Sequence, residues 1–357
     1  MKKKGILIII SLLVVMSLAL GSFSCGASET ETPVTPEEPI EINLNLIIPP
    51  TINRAKEVVV PWTELIEQET GGRVEFIVHY AGALATSAES HDALLAGLFE
   101  MDETGFSHTP GRAPYLDMLN QIPNIGGLPP LASAYTKAYW NVHKKFPEVQ
   151  ADWGNVKLFA NFPVPLFVPL FRTPLKTLED IKGLKVEDNG HTPAVEALGM
   201  IPVSVPTSGE IYLAVQSGMV DGAMESPVTL IAFKLGEHLK FMIDNFSVGC
   251  TYLGLKMNMD VWNSLPKDIQ AVFEKNSGDV LVNKYADFVD VDMFAMIDLA
   301  KKTQGVTVWS LPPDELARWL AATDHVKDDV LAKLESQGAT KVKEVYLEYE
   351  EFAKTLK

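Results

Sequence analysis

Two stretches in separate halves of the chain follow one plan. Thr86-Ser87-Ala88-Glu89 is followed by Ala93, Gly97 and the strand-like Leu98-Phe99-Glu100-Met101. Thr207-Ser208-Gly209-Glu210 is followed, at the same spacing, by Ala214, Gly218 and Met219-Val220-Asp221. Each opens with Thr-x-x-Glu, a capping box in which hydroxyl and carboxylate satisfy the exposed amides of a helix start. Each is expected to run about three helical turns and to stop at a glycine suited to left-handed backbone. A short strand then follows. Helix-then-strand units share this grammar widely, so coincidence competes with repetition. Two copies in separate halves nonetheless predict two similar α/β units.

The rest of the chain fits that plan. Residues 41–48 (EINLNLII) and 73–80 (RVEFIVHY) alternate as strands, and residues 53–70 between them have apolar positions at helical spacing, closed by Gly71-Gly72. That is βαβ order, the signature of a parallel sheet covered by helices. Residues 183–187 (GLKVE), 201–205 (IPVSV) and 252–257 (YLGLKM) read as further strands, with a short helix at 194–198. From Lys267 to Lys302 no proline and one glycine interrupt a helical pattern. A bend is expected at Gly278, and a helix of this length could run along both lobes. Residues 312–337 and 343–355 read as further helices. The 357 residues suggest two domains.

The N-terminus reads as an address. Met1-Lys2-Lys3-Lys4 precedes a run, 6–20, that is apolar except for Ser11 and Ser17. This is the charged-then-apolar order of an export signal, and it falls short of the roughly 20 residues a membrane-spanning helix needs. Gly21-Ser22-Phe23-Ser24 leads to Cys25, which resembles a bacterial lipobox with the cysteine as lipidation site; simple cleavage near Ser24 is the alternative. Residues 26–40 (GASETETPVTPEEPI) are too polar to order themselves and read as a tether. The expected localisation is periplasmic or extracytoplasmic, lipid-anchored to the membrane. The divisions are signal peptide 1–25, tether 26–40, one lobe from 41–166 plus 251–290, and a second from 167–250 plus 291–357.

Chemistry is sparse. With 46 Asp plus Glu against 30 Lys plus Arg, the formal net charge is −16, so nucleic acid is not an expected partner. There is no Gly-x-Gly-x-x-Gly, no Walker-type loop and no Gly-x-Ser-x-Gly elbow in the sequence. None of the seven histidines pairs at i, i+4. Cys250 sits in an apolar setting and reads as an inert thiol. Trp62, Trp140, Trp153 and Trp262 read as core. No enzyme, metal or cofactor is expected.

The segment 173–187 (TPLKTLEDIKGLKVE) resembles DctP-type solute-binding subunits of TRAP (tripartite ATP-independent periplasmic) transporters. So do Ala197-Leu198-Gly199, the segment 202–205, Glu210-Ile211-Tyr212-Leu213-Ala214-Val215-Gln216 and Gly218-Met219-Val220-Asp221-Gly222-Ala223. The resemblance continues through AFKLGE at 232–237, Met257-Asn258 and Trp262-Asn263-Ser264-Leu265-Pro266. Gly71-Gly72-Arg73 and Thr109-Pro110-Gly111-Arg112 also match, so that the similarity covers residues 41–310. It implies a two-lobed, hinge-closing α/β fold of the periplasmic-binding-protein type, with a long helix shared by both lobes. It also implies capture of a small organic solute and delivery to a membrane permease.

One departure matters. Where most members of that family carry an Arg that pairs with a ligand carboxylate, this chain has Glu187. A carboxylate ligand there would meet like charge in a partly dry cleft, which is unfavourable. Where some members carry a second Arg, the match is Phe167, within the apolar run 163–171. Pro227-Val228-Thr229 replaces a family Pro-Trp-Glu, which puts any metal site built on that motif in doubt. Two ligand classes stay open. An amine-containing or aromatic solute would use Glu187 as counter-ion and Phe167, Phe106 or Phe171 for cation–π contact. An organic acid would need a displaced cation, Arg172 or Arg112. Glu187 turned outward, or paired with Lys185 or Arg172, is equally open on the residues alone. Thr104, Gly105 and Phe106, with Glu225 and Ser226, follow the repeated strands and face the expected cleft, since ligands sit at the carboxyl ends of strands in open α/β sheets. An extracytoplasmic enzyme, or a sensor or interaction lipoprotein, are the other classes.

Overall fold

Each repeated unit does end in a glycine turn, and the two turns are built alike. Gly97 and Gly218 have φ of +73° and +76°. In each, the following amide reaches back five residues, from Leu98 to the Ala93 carbonyl and from Met219 to the Ala214 carbonyl, both at 3.0 Å. This is the Schellman geometry. It also corrects the expected strands. Leu98 and Met219 are spent in the turn and stay exposed, so the strands begin three residues later than expected, at Met101 and Gly222. The first capping box is also corrected. Thr86 Oγ1 donates to Glu89 Oε2 at 2.8 Å, the turn closes through Ser90 N–H to Thr86 carbonyl, and the helix is only Ser90–Leu95.

The computed structural model describes residues 38–107, 109–125, 131–205 and 208–356. The export signal at 1–25, Cys25, the tether up to residue 37, and Thr207 lie outside the described residues. Residues 39–357 form one compact unit.

Strands Ile40–Leu46 (β1), Val74–His79 (β2) and Met101–Thr104 (β3) are parallel, with β1 paired to both others. Val156–Phe171 (β4) is long. Lys185–Glu187 (β5), Ile201–Val203 (β6) and Gly222–Glu225 (β7) form a second parallel set, with β5 paired to both others. Phe241–Ile243 (β8), Gly249–Asn258 (β9) and Thr307–Trp309 (β10) complete the strands described. The order is β2-β1-β3-β9-β4-β7-β5-β6, with β8 and β10 branching from β4.

The strand β4 therefore belongs to both halves. Val156 to Phe167 pairs with β9, while Val168 to Phe171 pairs with β7. A register shift falls between Val164 and Phe167, where the chain passes from one half to the other; such irregularities bend a strand. Sequence patterning did not mark this strand, because its prolines at 163, 165 and 169 argue against a central strand.

The expected long helix is broken by Gly278 (φ +61°) into Lys267–Lys275 and Asp279–Gln304. The second piece serves both halves. Leu281, Val282, Tyr285 and Val289 pack with β1 and β9 residues, and Ala300 packs with Leu170, Ala223 and Met242. The fold is the two-lobed α/β arrangement. The C-terminal helix Val342–Lys354 packs on Pro114–Gln121 and Ala132–Lys145, helices that join β3 to β4, whereas the sequence division grouped it with 167–250. The four tryptophans expected in the core are buried there. Among the described residues, no helix is long and apolar enough to cross a membrane.

Candidate functional site

A cavity of about 110 Å³ lies between the halves. Ile47, Ile48 and Ile52 line it after β1, Val164 and Phe167 from β4, and Tyr285, Phe288 and Val289 from the long helix. Val228, Thr229, Ala232 and Phe233 close it from the helix Pro227–Ala232 and the residue after it. The wall is mostly apolar, and its charged residues are Arg54, Asp292 and Glu225.

Arg54 is the one that the sequence reading passed over. It is buried, and its guanidinium grips Glu103 at 2.7 Å and 3.3 Å. Burial opposes its charge, but the neighbouring Glu103 carboxylate more than offsets this and holds its pKa above the ordinary arginine value. Glu103 is itself pushed upward, first by burial. Arg54 is thus a cation whose charge is already matched. Its sequence signal was its place shortly after β1, at the carboxyl end of a parallel strand. Asp292 also lines the cavity, accepting from Asn53 Nδ2 at 2.7 Å.

Glu225, Ser226 and Asn189 line the cavity as well. Ser226 caps the helix that follows, accepting from Val228 N–H at 3.4 Å. Its own N–H donates to Glu225 Oε2 at 3.1 Å. The Asn189 side chain donates to Glu225 Oε1 at 3.0 Å, and the Asn189 backbone N–H donates to Glu187 Oε1 at 2.9 Å. Burial pushes the Glu225 carboxyl up to about 7. Glu187 is 2% exposed and is raised well above the ordinary range, first by burial and then by Glu225. It turns inward. Among the described residues no ion pair joins it to Lys185 or Arg172. Glu187 borders a second, more polar cavity of about 370 Å³ with Asp188, Ser107 and Thr192, and Asn189 borders both cavities.

Of the residues singled out in the sequence, Gly105, Phe167, Glu225 and Ser226 meet at the first cavity, and Glu187 stands behind Asn189. Phe167 also packs on the His191 ring at 4.7 Å between centroids. The others lie elsewhere. Thr104 is fully buried, bonded to Lys256 Nζ and Asp102, because the short strand β3 turns its polar end into an internal ion pair. Phe106 packs against His91 and Trp153, and Phe171, the last residue of β4, is in the core with Phe241 and Ile243. Arg112 is tied to Asp92. Neither Arg112 nor Arg172 lines the cavity. Cys250 is buried, and burial pushes its thiol up.

Residues 167–334 match the family model for DctP, bacterial extracellular solute-binding protein, family 7. These residues belong to the DctP family. DctP-type proteins are solute receptors, not enzymes, and the resemblance read from the sequence stands. The C4-dicarboxylate-binding periplasmic protein DctP of Rhodobacter capsulatus is 25% identical over 323 residues, covering 86% of this chain and 91% of that protein. A monocarboxylate 2-oxoacid-binding periplasmic protein of Nostoc sp. is 27% identical over 58% of this chain, and the match spans 57% of that relative's length. A marine-metagenome TRAP solute-binding protein, solved with 3-hydroxybenzoate, shares the fold at a TM-score of 0.81 and 21% identity, covering 89% of this chain and 99% of that one. A Bordetella bronchiseptica TRAP protein with bound mandelate gives a TM-score of 0.79 at 21% identity, over 89% and 100% of the two chains.

Proposed function

We propose that this DctP-type receptor captures a small, largely apolar or aromatic solute carrying an amine, by hinge closure, and delivers it to a TRAP-type permease. The observation that carries this is the buried pairing of Glu225 with Glu187, the residue that stands where the family resemblance places an arginine. The cavity's charges agree. Arg54 is neutralised by Glu103, and Glu225 and Asp292 add acid. An anion entering this cavity would be opposed by these acids, and an ammonium would not. Phe167, Phe233 and Phe288 offer aromatic faces, where a cation gains about 0.5–2 kcal/mol. The shift in β4 between Val164 and Phe167 supports a hinge there, with lobes divided near 166 and 250. In this reading Cys25 carries a lipid that holds the receptor outside the cytoplasm.

A thermal-denaturation screen of amines, organic acids and neutral solutes tests it. A bound solute at a hundred times its dissociation constant adds about 2.7 kcal/mol of apparent stability. Amines are expected to raise the transition, and stabilisation by carboxylates alone sinks the ligand assignment. The organic-acid reading rests now on Arg54, since Arg112 and Arg172 are off the cavity. If no small solute raises the transition, a sensor or interaction role gains. Co-purification with two membrane subunits tests delivery.

A further inference from the structure

The Glu187–Glu225 arrangement has a consequence beyond ligand class. In the parallel register of β5 and β7, Glu187 lies beside Ala223. Glu225 is two residues farther on, so it projects from the same face. Both carboxyls are nearly inaccessible. Asn189 supplies one hydrogen bond to each. Glu225 Oε2 has the Ser226 amide. Glu187 Oε2 is buried without a hydrogen-bond partner among the described residues, and Glu187 borders the polar cavity. A buried carboxylate oxygen with no donor is costly, so it wants either a proton or a cation. Two dry neighbouring carboxyls cannot both ionise readily, so the pair retains a proton when empty.

We propose that an ammonium solute exchanges for that proton: binding releases one proton from the Glu187–Glu225 pair to solvent. The proposal rests on the amine reading above. The exchange balances in charge, because the cation enters as the proton leaves. It makes capture pH-dependent, tightening as pH rises and loosening on acidification. The other groups at hand do not reverse this sign. On β5's own end, Asp188 accepts from Thr192, and it favours retention of the proton on Glu187. From the following helix, His191 is spent on the Asn120 carbonyl at 2.6 Å and burial holds it neutral, down to about 4. At the first cavity Arg54 is bound to Glu103, and Asp292 to Asn53. The upward displacement of Glu225 to about 7 places the dependence near neutrality.

The test is titration calorimetry with 2-phenylethylammonium and benzyltrimethylammonium from pH 5.5 to 8, in buffers of different ionisation enthalpy. Both probes stay cationic throughout, the first because alkylammonium groups titrate only near 10. Expected are release of about one proton per bound probe below pH 7, and affinity falling by up to about tenfold per pH unit on acidification. Glu187→Gln and Glu225→Gln are each expected to abolish the release. Where a variant does not fold, the buffer series on the unaltered chain decides. Ammonium binding with no release and no pH dependence overturns the exchange but leaves the amine reading standing. Binding of carboxylates alone, or of none of these probes, overturns both.

Discussion

Glu187 and Glu225 are held by the same residue: the Asn189 backbone donates to the first at 2.9 Å and its side chain to the second at 3.0 Å. The folded chain therefore keeps protons that the unfolded chain would give up. A carboxyl raised in the folded state favours folding most at low pH, and that advantage is lost as pH rises through its folded value, here about 7 for Glu225. The change amounts to at most about 3 kcal/mol between pH 4.5 and 8. Glu225→Gln is expected to remove this loss, so that the variant gains on the parent as pH rises. Urea denaturation at pH 5 and pH 8 checks it. An unchanged difference at the two pH values contradicts the buried pair.

Buried histidines work in the opposite direction. Burial holds His143 down to about 4 and His191 to about 4. Burial, reinforced by Lys256, holds His91 at about 3. A lowered histidine contributes stability above its ordinary value, and that contribution is lost as pH falls toward its folded value. His143 stacks on Trp140 and Tyr139, so His143→Phe retains the stacking and removes the titration. The variant is expected to resist acid better, by up to about 3 kcal/mol at pH 4 relative to pH 7.5. Denaturant midpoints at the two pH values measure it, and parallel curves for parent and variant refute it.

What was legible in the sequence follows from what is local. The Gly97 and Gly218 turns, the break at Gly278 and the βαβ order each depend on residues a few positions apart. Glu187 was marked out because the family resemblance places an arginine there. Arg54 was not, because its partner Glu103 lies 49 residues away, and nothing in a single sequence pairs them. Thr104 and Phe106 pointed to the cleft by their place after a strand. Their side chains were claimed instead by Lys256 and by Trp153, which come from other elements. The strand β4 was hidden by prolines that its shared position between halves accommodates.

Arg54 offers a direct test of whether it serves solute or scaffold. Its guanidinium and the Glu103 carboxylate are both buried. Removing one partner of such a pair leaves the other charge uncompensated, at about 3–5 kcal/mol. Arg54→Met is expected to destabilise by that amount, and Arg54→Met with Glu103→Leu to recover most of it. Chemical denaturation of the two variants reads the result. If the double variant is no more stable than the single, the pair is not what Arg54 is for, and the organic-acid reading gains.

Gly105 joins the cavity wall to the sheet. A Cβ at this position would lie 2.0 Å from the Tyr252 carbonyl oxygen and 3.2 Å from Leu253 Cδ2. The first of these is backbone, so no rotamer change relieves it. β9 would have to move away from the end of β3, where Thr104 pairs with Gly254. Overpacking of this kind costs about 1–3 kcal/mol, and more where backbone must shift. Gly105→Ala is therefore expected to lower stability by about 3 kcal/mol or more. Because Gly105 and Leu253 both line the cavity, it should also weaken solute-induced stabilisation. Urea denaturation with and without 2-phenylethylammonium measures both. A variant as stable as the parent would show that the approach of β3 to β9 is looser than this geometry requires.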